Sequence, residues 1–444
     1  MIPEASLSYI FNIIWQLIKN WWWLLLPFLL WEPFKYLWRW WRVDIWMATV
    51  YKPILLEIKI PKEIQKPIRA MEMVMAGLHG AVYHPPDWWE RWLDGQLDTT
   101  TISLEIASIE GEPHFYIRIH SPYRQSVEAA IYSQYPEAEI QEVPDYAKTV
   151  PYDIPNRDWD MFGFDYTLLK PNPYPIKTYR KFETEMEKEE ERVVDPVAQL
   201  LEAMAKIKPG EQLWIQIRAT PLAEPKDNPT YAKFLKEGEE IRNKIARRQE
   251  KPKPKPIVTG AAEILISGAP PVSPEEEKEI IPSEMKMTPG EREIVLAIEE
   301  KISKPAFRAA ARALYLGKRD VWFKPNFRLA FIFFKCFATA NLNDLEPWGG
   351  TFTKIHMSRF LPLNLLRRRR HYLRCRKIFR TYLSRDNTLF PRFAADKGFF
   401  VLNTEELASL YHFPSAVVAP TPSVPRIETK KGGPPPELPF EETE

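Results

Sequence analysis

Eleven Lys or Arg and no acidic residue lie between Pro347 and Arg385. Arg367, Arg368, Arg369 and Arg370 form a run, and Arg374, Arg376, Lys377, Arg380 and Arg385 follow it. Tyr372, Leu373, Ile378, Phe379, Tyr382 and Leu383 are interleaved. Guanidinium groups at this density neutralise phosphates, so the segment suits the DNA backbone. It also suits anionic lipid, at about 1 kcal/mol per basic residue close to the surface. A third reading is a long helix with a solvated charged face that packs inward through Leu366, Leu373 and Phe379. The residues that would bind phosphate or lipid headgroups are Arg367, Arg368, Arg369, Arg370, Arg374, Arg376, Lys377 and Arg380.

Nothing else in the chain has the spacing of a reactive site. Gly317-Lys318 lacks the upstream glycine of a phosphate-binding loop, and Gly349-Gly350 leads to no lysine. No dinucleotide fingerprint occurs, and 16 Gly in 444 residues leave little backbone able to approach phosphate closely. None of the seven histidines is spaced as a helical ligand pair or paired with a cysteine. His114 and His120 share a strand face with Tyr116 and Arg118, opposite Phe115, Ile117 and Ile119, which suits a solvent- or partner-facing surface. Glu183 to Glu191 reads as a solvated charge run. Cys336 and Cys375 cannot build a disulfide framework and fit a reducing compartment. With 61 basic and 59 acidic residues, bulk charge does not argue for nucleic acid. No catalytic, cofactor-binding or metal-ligating residue is expected, and the chain reads as a non-enzyme.

The elements that would position the basic segment begin with an aromatic leader. Nine of the 16 Trp fall in the first 46 residues: Trp15, Trp21, Trp22, Trp23, Trp31, Trp38, Trp40, Trp41 and Trp46. Tryptophan favours the membrane–water interface, where the ring is buried and the N–H stays wet. Leu7 to Trp31 is mostly apolar and long enough to span a bilayer, although Asn12, Gln16, Lys19 and Asn20 interrupt it. The uncharged stretch Asn20 to Trp31 is 12 residues and contains Pro27, which also fits a monotopic or re-entrant anchor. A buried core helix is the third reading. Nothing resembles a cleaved signal peptide. Lys35, Arg39 and Arg42 follow the apolar run, which places the later domains on the cytoplasmic side of the inner membrane.

Beyond the anchor, Ile54 to Ile60 reads as a strand. Pro61 then opens a helix with Ile64, Ile68, Met71, Met75 and Leu78 on one face. Residues 80–99 form a loop with Trp88, Trp89 and Trp92, which either pack inward or enter the interface. Ile102, Leu104 and Ile106 alternate, as do Phe115, Ile117 and Ile119, with Glu110-Gly111 between them, so a hairpin is expected. Pro122 starts a helix with Val127, Ala130 and Ile131 inward, and a strand follows at Ala138 and Ile140. The order is β-α-β-β-α-β, the ferredoxin-like plan. A second such unit follows: a strand at Phe164 to Leu169, a helix capped by Asp195-Pro196, and a strand at Gln212 to Ala219. After an insertion come a helix at Glu291 to Lys301, a strand at Arg308 to Leu316, a helix at Asn326 to Ala338 and a strand at Thr351 to Ile355. The insertion holds a charged helix from Tyr231 to Gln249, the stiff Lys/Pro run Lys251 to Pro256, and a Pro/Glu-rich stretch at 268–290.

The expected class is therefore α+β: an N-terminal membrane helix followed by two tandem ferredoxin-like domains, the second split. The divisions are 1–43 for the anchor and 44–150 for the first domain. The second domain takes 151–220 and 291–360, with 221–290 inserted. Residues 361–415 hold the basic helix and a C-terminal strand and helix, and 416–444 are a Pro-rich tail.

Leu55 to Glu63, Met71-Glu72 and Leu78-His79-Gly80 resemble the region after the anchor in a group of membrane proteins from small-genome bacteria and some archaea. So do Ser103 to Ile106, His114 to Arg118, Ile131 to Pro136, Leu402 to Ala408 and His412-Phe413-Pro414. In that group these segments often precede a DNA-translocating ATPase of RecA type, similar to type IV secretion coupling proteins. The resemblance implies the anchoring and adaptor part of such a system, with the motor on a separate chain. The sequence reaches only Pro434-Pro435-Pro436 and a short acidic end, where the linker to a motor would run. The implied partners are membrane lipid and a separate RecA-type ATPase, with DNA and a second copy of the chain as further candidates. A lipid-surface scaffold without a nucleic-acid role is the alternative, and an enzyme of unrecognised class the third possibility.

Overall fold

The computed structural model describes residues 12–13, 15–16, 19–61, 66–96, 99–186, 195–226, 228–247, 287–355, 366–385 and 398–414. The chain forms two compact units, one from residues 1–53 and 84–99, the other from 54–83 and 100–444.

In the first unit a 3-10 turn, Trp22–Leu25, leads into helix α1, Leu26–Thr49. No residue of α1 is buried, and Pro33 interrupts its hydrogen-bond ladder. Charged residues punctuate it, and among the described residues no helix is long and apolar enough to cross a membrane. Most of the stretch Leu7 to Lys19, where the expected span begins, lies outside the described residues. The helix continues past residue 43, where the sequence places the end of the anchor.

Residues 84–96 fold back onto α1. Their centre is a single π-helical turn, Glu90–Asp94, whose Glu90 carboxylate accepts the Asp87 N–H at 2.8 Å. Trp38 Nε1 donates to the Trp92 carbonyl at 2.8 Å, and the Arg39 guanidinium lies 4.9 Å from the Trp92 ring centre. Gly95 ends the turn at φ +87°, and a Cβ there would stand 2.3 Å from the Arg42 carbonyl oxygen. Gly95→Ala is therefore expected to release this segment from α1. The left-handed backbone alone costs about 1–2 kcal/mol, so hydrogen exchange at the Trp92 and Gly95 amides should accelerate about tenfold. Unchanged protection would show that the close approach does not hold the segment.

The second unit is built on one nine-stranded sheet: β1 (Pro53–Lys59), β2 (Ile102–Ile109), β3 (Glu112–His120), β4 (Glu139–Val143), β5 (Trp159–Leu168), β6 (Glu211–Pro221), β7 (Ala306–Lys318), β8 (Leu345–Pro347) and β9 (Phe400–Asn403). The order is β4-β1-β3-β2-β6-β7-β5-β8. The β1–β4, β2–β3, β2–β6, β6–β7, β5–β7, β5–β8 and β7–β9 pairings are all antiparallel. β2 and β6 join the two halves over Ile102 to Ile109. β7 is long because it serves two partners on one side, β5 from Arg312 to Lys318 and β9 from Ala306 to Ala309.

Strand alternation divides the core. One face carries Leu104, Ile106, Phe115, Ile117, Phe164, Ile215 and Tyr315. Five helices pack on it: α2 (Ile68–Val82), α3 (Arg124–Tyr132), α5 (Pro196–Ala205), α8 (Arg328–Lys335) and α10 (Thr404–Leu410). Two further helices, α6 (Pro229–Ile245) and α7 (Pro289–Ser303), meet β9 through Phe234, Ile302 and Val401. The short α4 (Tyr179–Met186) packs through Phe182. The opposite face carries Tyr116, Met161, Trp214, Leu314 and Leu316, beneath α9 (Arg367–Ser384) and a 3-10 turn at Tyr146–Thr149.

Several expectations need correction. The helix after β1 begins at Ile68, because Pro67 forces the residue before it out of helical geometry; Ile64 lies outside the described residues. Thr351 to Ile355 is not a strand. The strand beside β5 is Leu345–Pro347, and farther along β5 the Thr351 and Thr353 hydroxyls accept from the Asp165 and Gly163 N–H groups at 3.0 and 3.2 Å. The charged helix runs Pro229–Ile245, started by the Asn228 cap, and α7 begins two residues early at Pro289 through a Thr288–Glu291 capping box. The 251–256 linker and the tail from 416 lie outside the described residues. The face of His114, Tyr116 and His120 is not open to solvent: Tyr116 stacks on Tyr146 at 4.7 Å, His114 Nδ1 meets Glu57 at 2.6 Å, and His120 is buried.

All seven residues of α10 are buried, so its polar groups must be matched internally. Asn403 and Glu406 form a capping box, and Glu406 also pairs with the buried Lys301 at 3.1 Å. Just beyond, His412 Nε2 meets Asp195, the cap of α5, at 2.8 Å, while its Nδ1 donates to the Ala408 and Ser409 carbonyls. Burial opposes the charge on Asp195, but the His412 imidazolium and two backbone N–H donors outweigh it and hold the carboxyl below its usual range. Burial also pushes His412 down, and Asp195 with the two carbonyls outweighs it, so the imidazole is raised. Asp195 thus stabilises the fold above the ordinary carboxylate range and loses this as pH falls through its lowered pKa. His412 stabilises below the ordinary imidazole value, about 6.5, and loses this as pH rises through its raised pKa. His412→Gln is expected to flatten the alkaline decline of Tm above about pH 6.5. An identical pH profile would mean that the imidazole is uncharged in the fold.

Candidate polyanion-binding helix

The basic run forms α9 because it lacks glycine and proline and repeats apolar residues at helical spacing. Its buried stripe is Cys375, Ile378, Phe379 and Tyr382, which meets Trp214 and Leu314 of the sheet. Leu366 and Leu373 are not part of it. They are 51% and 53% exposed, because they fall on the outer stripe with Arg369, Arg376 and Arg380.

The C-terminal end of α9 is fastened by a polar network inside the sheet face. Arg385, in a left-handed cap at φ 55°, donates Nε and Nη2 to the two Glu105 oxygens at 2.9 and 3.0 Å. Its Nη1 and Nη2 reach Asp145 at 2.5 and 2.9 Å. Ser103, Tyr146 and Gln216 complete the shell of Glu105 at 2.6, 2.7 and 3.0 Å. Burial opposes the Glu105 charge, but Arg385 and the hydroxyl donors outweigh it and bring the carboxyl down to about 2. Arg385, read in the sequence as one more basic residue, is therefore structural. The available clue is its position after Tyr382-Leu383, where the helical stripe turns inward.

The N-terminal end is different. Arg367, Arg368 and Arg369 are exposed and Arg370 is half-buried. No acidic residue lies in the first turn, and among the described residues no carboxylate pairs with these four, with Arg374, Arg376 or with Arg380. A helix start already carries partial positive charge, so four arginines there are unfavourable unless an anion is bound. Arg374 and Arg376 are partly committed, Arg374 to the Phe352 carbonyl at 3.0 Å and Arg376 to the Tyr372 hydroxyl at 2.8 Å. Lys377 is half-buried, and burial pushes its ammonium down. Arg380 is exposed and lies 5.3 Å from the Tyr152 ring centre. The structure thus brings the candidates onto one helix, with Arg367, Arg368, Arg369 and Arg380 the most accessible.

One contact was missed in sequence. His371 and Cys375 are one helical turn apart, with Nε2 3.6 Å from Sγ. Burial pushes Cys375 up to about 12 and lowers His371, so this is a thiol beside a neutral imidazole. A groove of about 840 Å³ runs along α8 between Phe327, Phe331, Ile332, Cys336 and Phe352, with Arg328 and Lys335 at its sides. Burial raises the Cys336 thiol as well. A second cavity of about 370 Å³ lies between Lys233, Glu237 and Arg308. Among the described residues no group of three His, Cys, Asp or Glu is placed to hold a metal ion.

The anchor candidates belong to the first unit. Trp15, Trp21, Trp23, Trp31, Trp40 and Trp41 are exposed, Trp38 is half-buried against Trp92, and Trp22 lies in the 3-10 turn. No protein-family model and no curated protein matches this chain.

Proposed function

We propose that the chain is a membrane-anchored, non-catalytic adaptor of a DNA-translocation or type IV secretion-like system. It holds DNA through phosphate contacts and works with a separate RecA-type ATPase. The observation that carries this is the first turn of α9, where four arginines with no carboxylate partner among the described residues crowd the positive end of a helix. The exposed aromatic surface of the first unit supports attachment to the inner membrane, with the remaining domains on the cytoplasmic side. The resemblance of the Leu402 to Ala408 and Ser103 to Ile106 segments to coupling-protein-like chains supports the translocation context. In the same reading the sheet is two ferredoxin-like units joined edge to edge. Supporting this, β4-β1-β3-β2 and β8-β5-β7-β6 repeat one strand order.

The test uses the full chain in zwitterionic nanodiscs, titrated with labelled duplex DNA across a salt series. Binding that weakens steeply with salt is expected. Absence of DNA binding, together with binding to anionic vesicles, would favour the lipid-surface scaffold instead. ATP hydrolysis by the purified chain would contradict the non-catalytic assignment.

A further inference from the structure

We propose that residues 84–96 are a second lipid-contacting element, seated in the headgroup–acyl boundary of an electrically neutral bilayer surface beside α1. This rests on reading α1 as the membrane anchor. These residues belong to the same compact unit as the N-terminal segment, although α2 and β2 flank them in the chain. Trp88 and Trp89 are 61% and 65% exposed and pack edge to face at 4.8 Å, so they are not core residues. An exposed indole pair exposes much apolar surface to water, yet each ring keeps an N–H that favours a wet boundary over a dry protein interface.

The pair is held rather than loose. Glu90 accepts the Asp87 N–H and meets His84, which closes the turn beneath Trp88 and Trp89. Trp92 fastens that turn to Trp38 and Arg39 of α1. The aromatic surface is therefore continuous with that of the anchor, which identifies the bilayer as its occupant. Charge narrows the choice of lipid: Asp87, Glu90 and Asp94 outnumber Arg91 in this segment, so anionic headgroups would repel it.

The experiment places an environment-sensitive NBD probe at position 89 (Trp89→Cys) in the full chain with Cys336→Ser. Cys375 is fully buried. A second chain carries the probe at position 28 (Phe28→Cys) on α1. With phosphatidylcholine vesicles, both probes are expected to shift to the blue, and nitroxide near the headgroups should quench position 89 more than nitroxide deep in the chains. Replacing part of the lipid with phosphatidylglycerol should not strengthen the response at 89. A shift at 28 with none at 89 overturns this inference and leaves the anchor reading intact. No shift at either position overturns both. Because the probe replaces one ring, Trp88→Ala/Trp89→Ala is measured in parallel by vesicle flotation. Its partitioning should fall about tenfold or more, and unchanged partitioning also counts against the inference.

Discussion

Arg385→Ala is expected to destabilise the second unit by about 3–5 kcal/mol, the cost of leaving a buried carboxylate without its partner. Glu105 is wholly buried, and Arg385 supplies both of its charged hydrogen bonds. Removing the guanidinium also takes from Asp145 its ion pair, leaving it the Ala147 N–H, and removes the cation beside the Tyr146 and Tyr382 rings. Ser103, Tyr146 and Gln216 can stabilise the Glu105 charge only in part. Chemical denaturation followed by near-ultraviolet circular dichroism would read this directly, because Trp214 packs against Tyr382 with 5.1 Å between ring centres. The double variant Arg385→Met/Glu105→Gln should recover much of the loss, since it removes both charges together. Equal stability of Arg385→Ala and the parent chain would mean that the network is not formed in solution.

Changing Arg367, Arg368, Arg369 and Arg370 to alanine is expected to move binding and stability in opposite directions. Four lost phosphate contacts should make the log–log salt dependence of DNA binding shallower by about 3.6 and lower affinity at low salt by about two orders of magnitude. Removing four positive charges from a helix start should stabilise α9, by roughly 1–2 kcal/mol in total. A merely structural basic face predicts the reverse: no change in binding and a loss of stability. Anisotropy titrations and thermal melts of the same preparations decide between them.

What was legible in sequence follows from how local each signal is. The β2–β3 hairpin was readable because its alternation brackets Glu110-Gly111, and both of these residues take the positive φ that a tight turn needs. The start of α5 was readable because Asp195-Pro196 caps it within three residues. The failures are non-local. Glu105 looks like an outward residue on an alternating strand, and the groups that cover it, the Tyr146 turn and the helix end at Arg385, come 41 and 280 residues later. β8 was misplaced because a three-residue strand carries almost no periodic signal, while Thr351 and Thr353 have strand-like composition yet meet β5 largely through their hydroxyls, with one backbone bond from Thr353 N–H to the Gly163 carbonyl. The β2–β6 pairing brings together two strands far apart in the chain, which no short pattern encodes. At the candidate site, the charge cluster was plain, but not the division between the exposed arginines at the start of α9 and the buried Arg385 at its end. That division depends on which helical stripe meets Trp214 and Leu314.

Arginine modification with phenylglyoxal, read residue by residue by mass spectrometry with and without saturating duplex DNA, tests most directly whether α9 holds phosphates. Modification of Arg367, Arg368, Arg369 and Arg380 should slow at least about tenfold when DNA is bound. The exposed Arg69 on α2 should react at the same rate in both samples, and the buried Arg385 should resist in both. Undiminished modification of the α9 arginines while DNA remains bound would place the contact elsewhere and contradict the assignment.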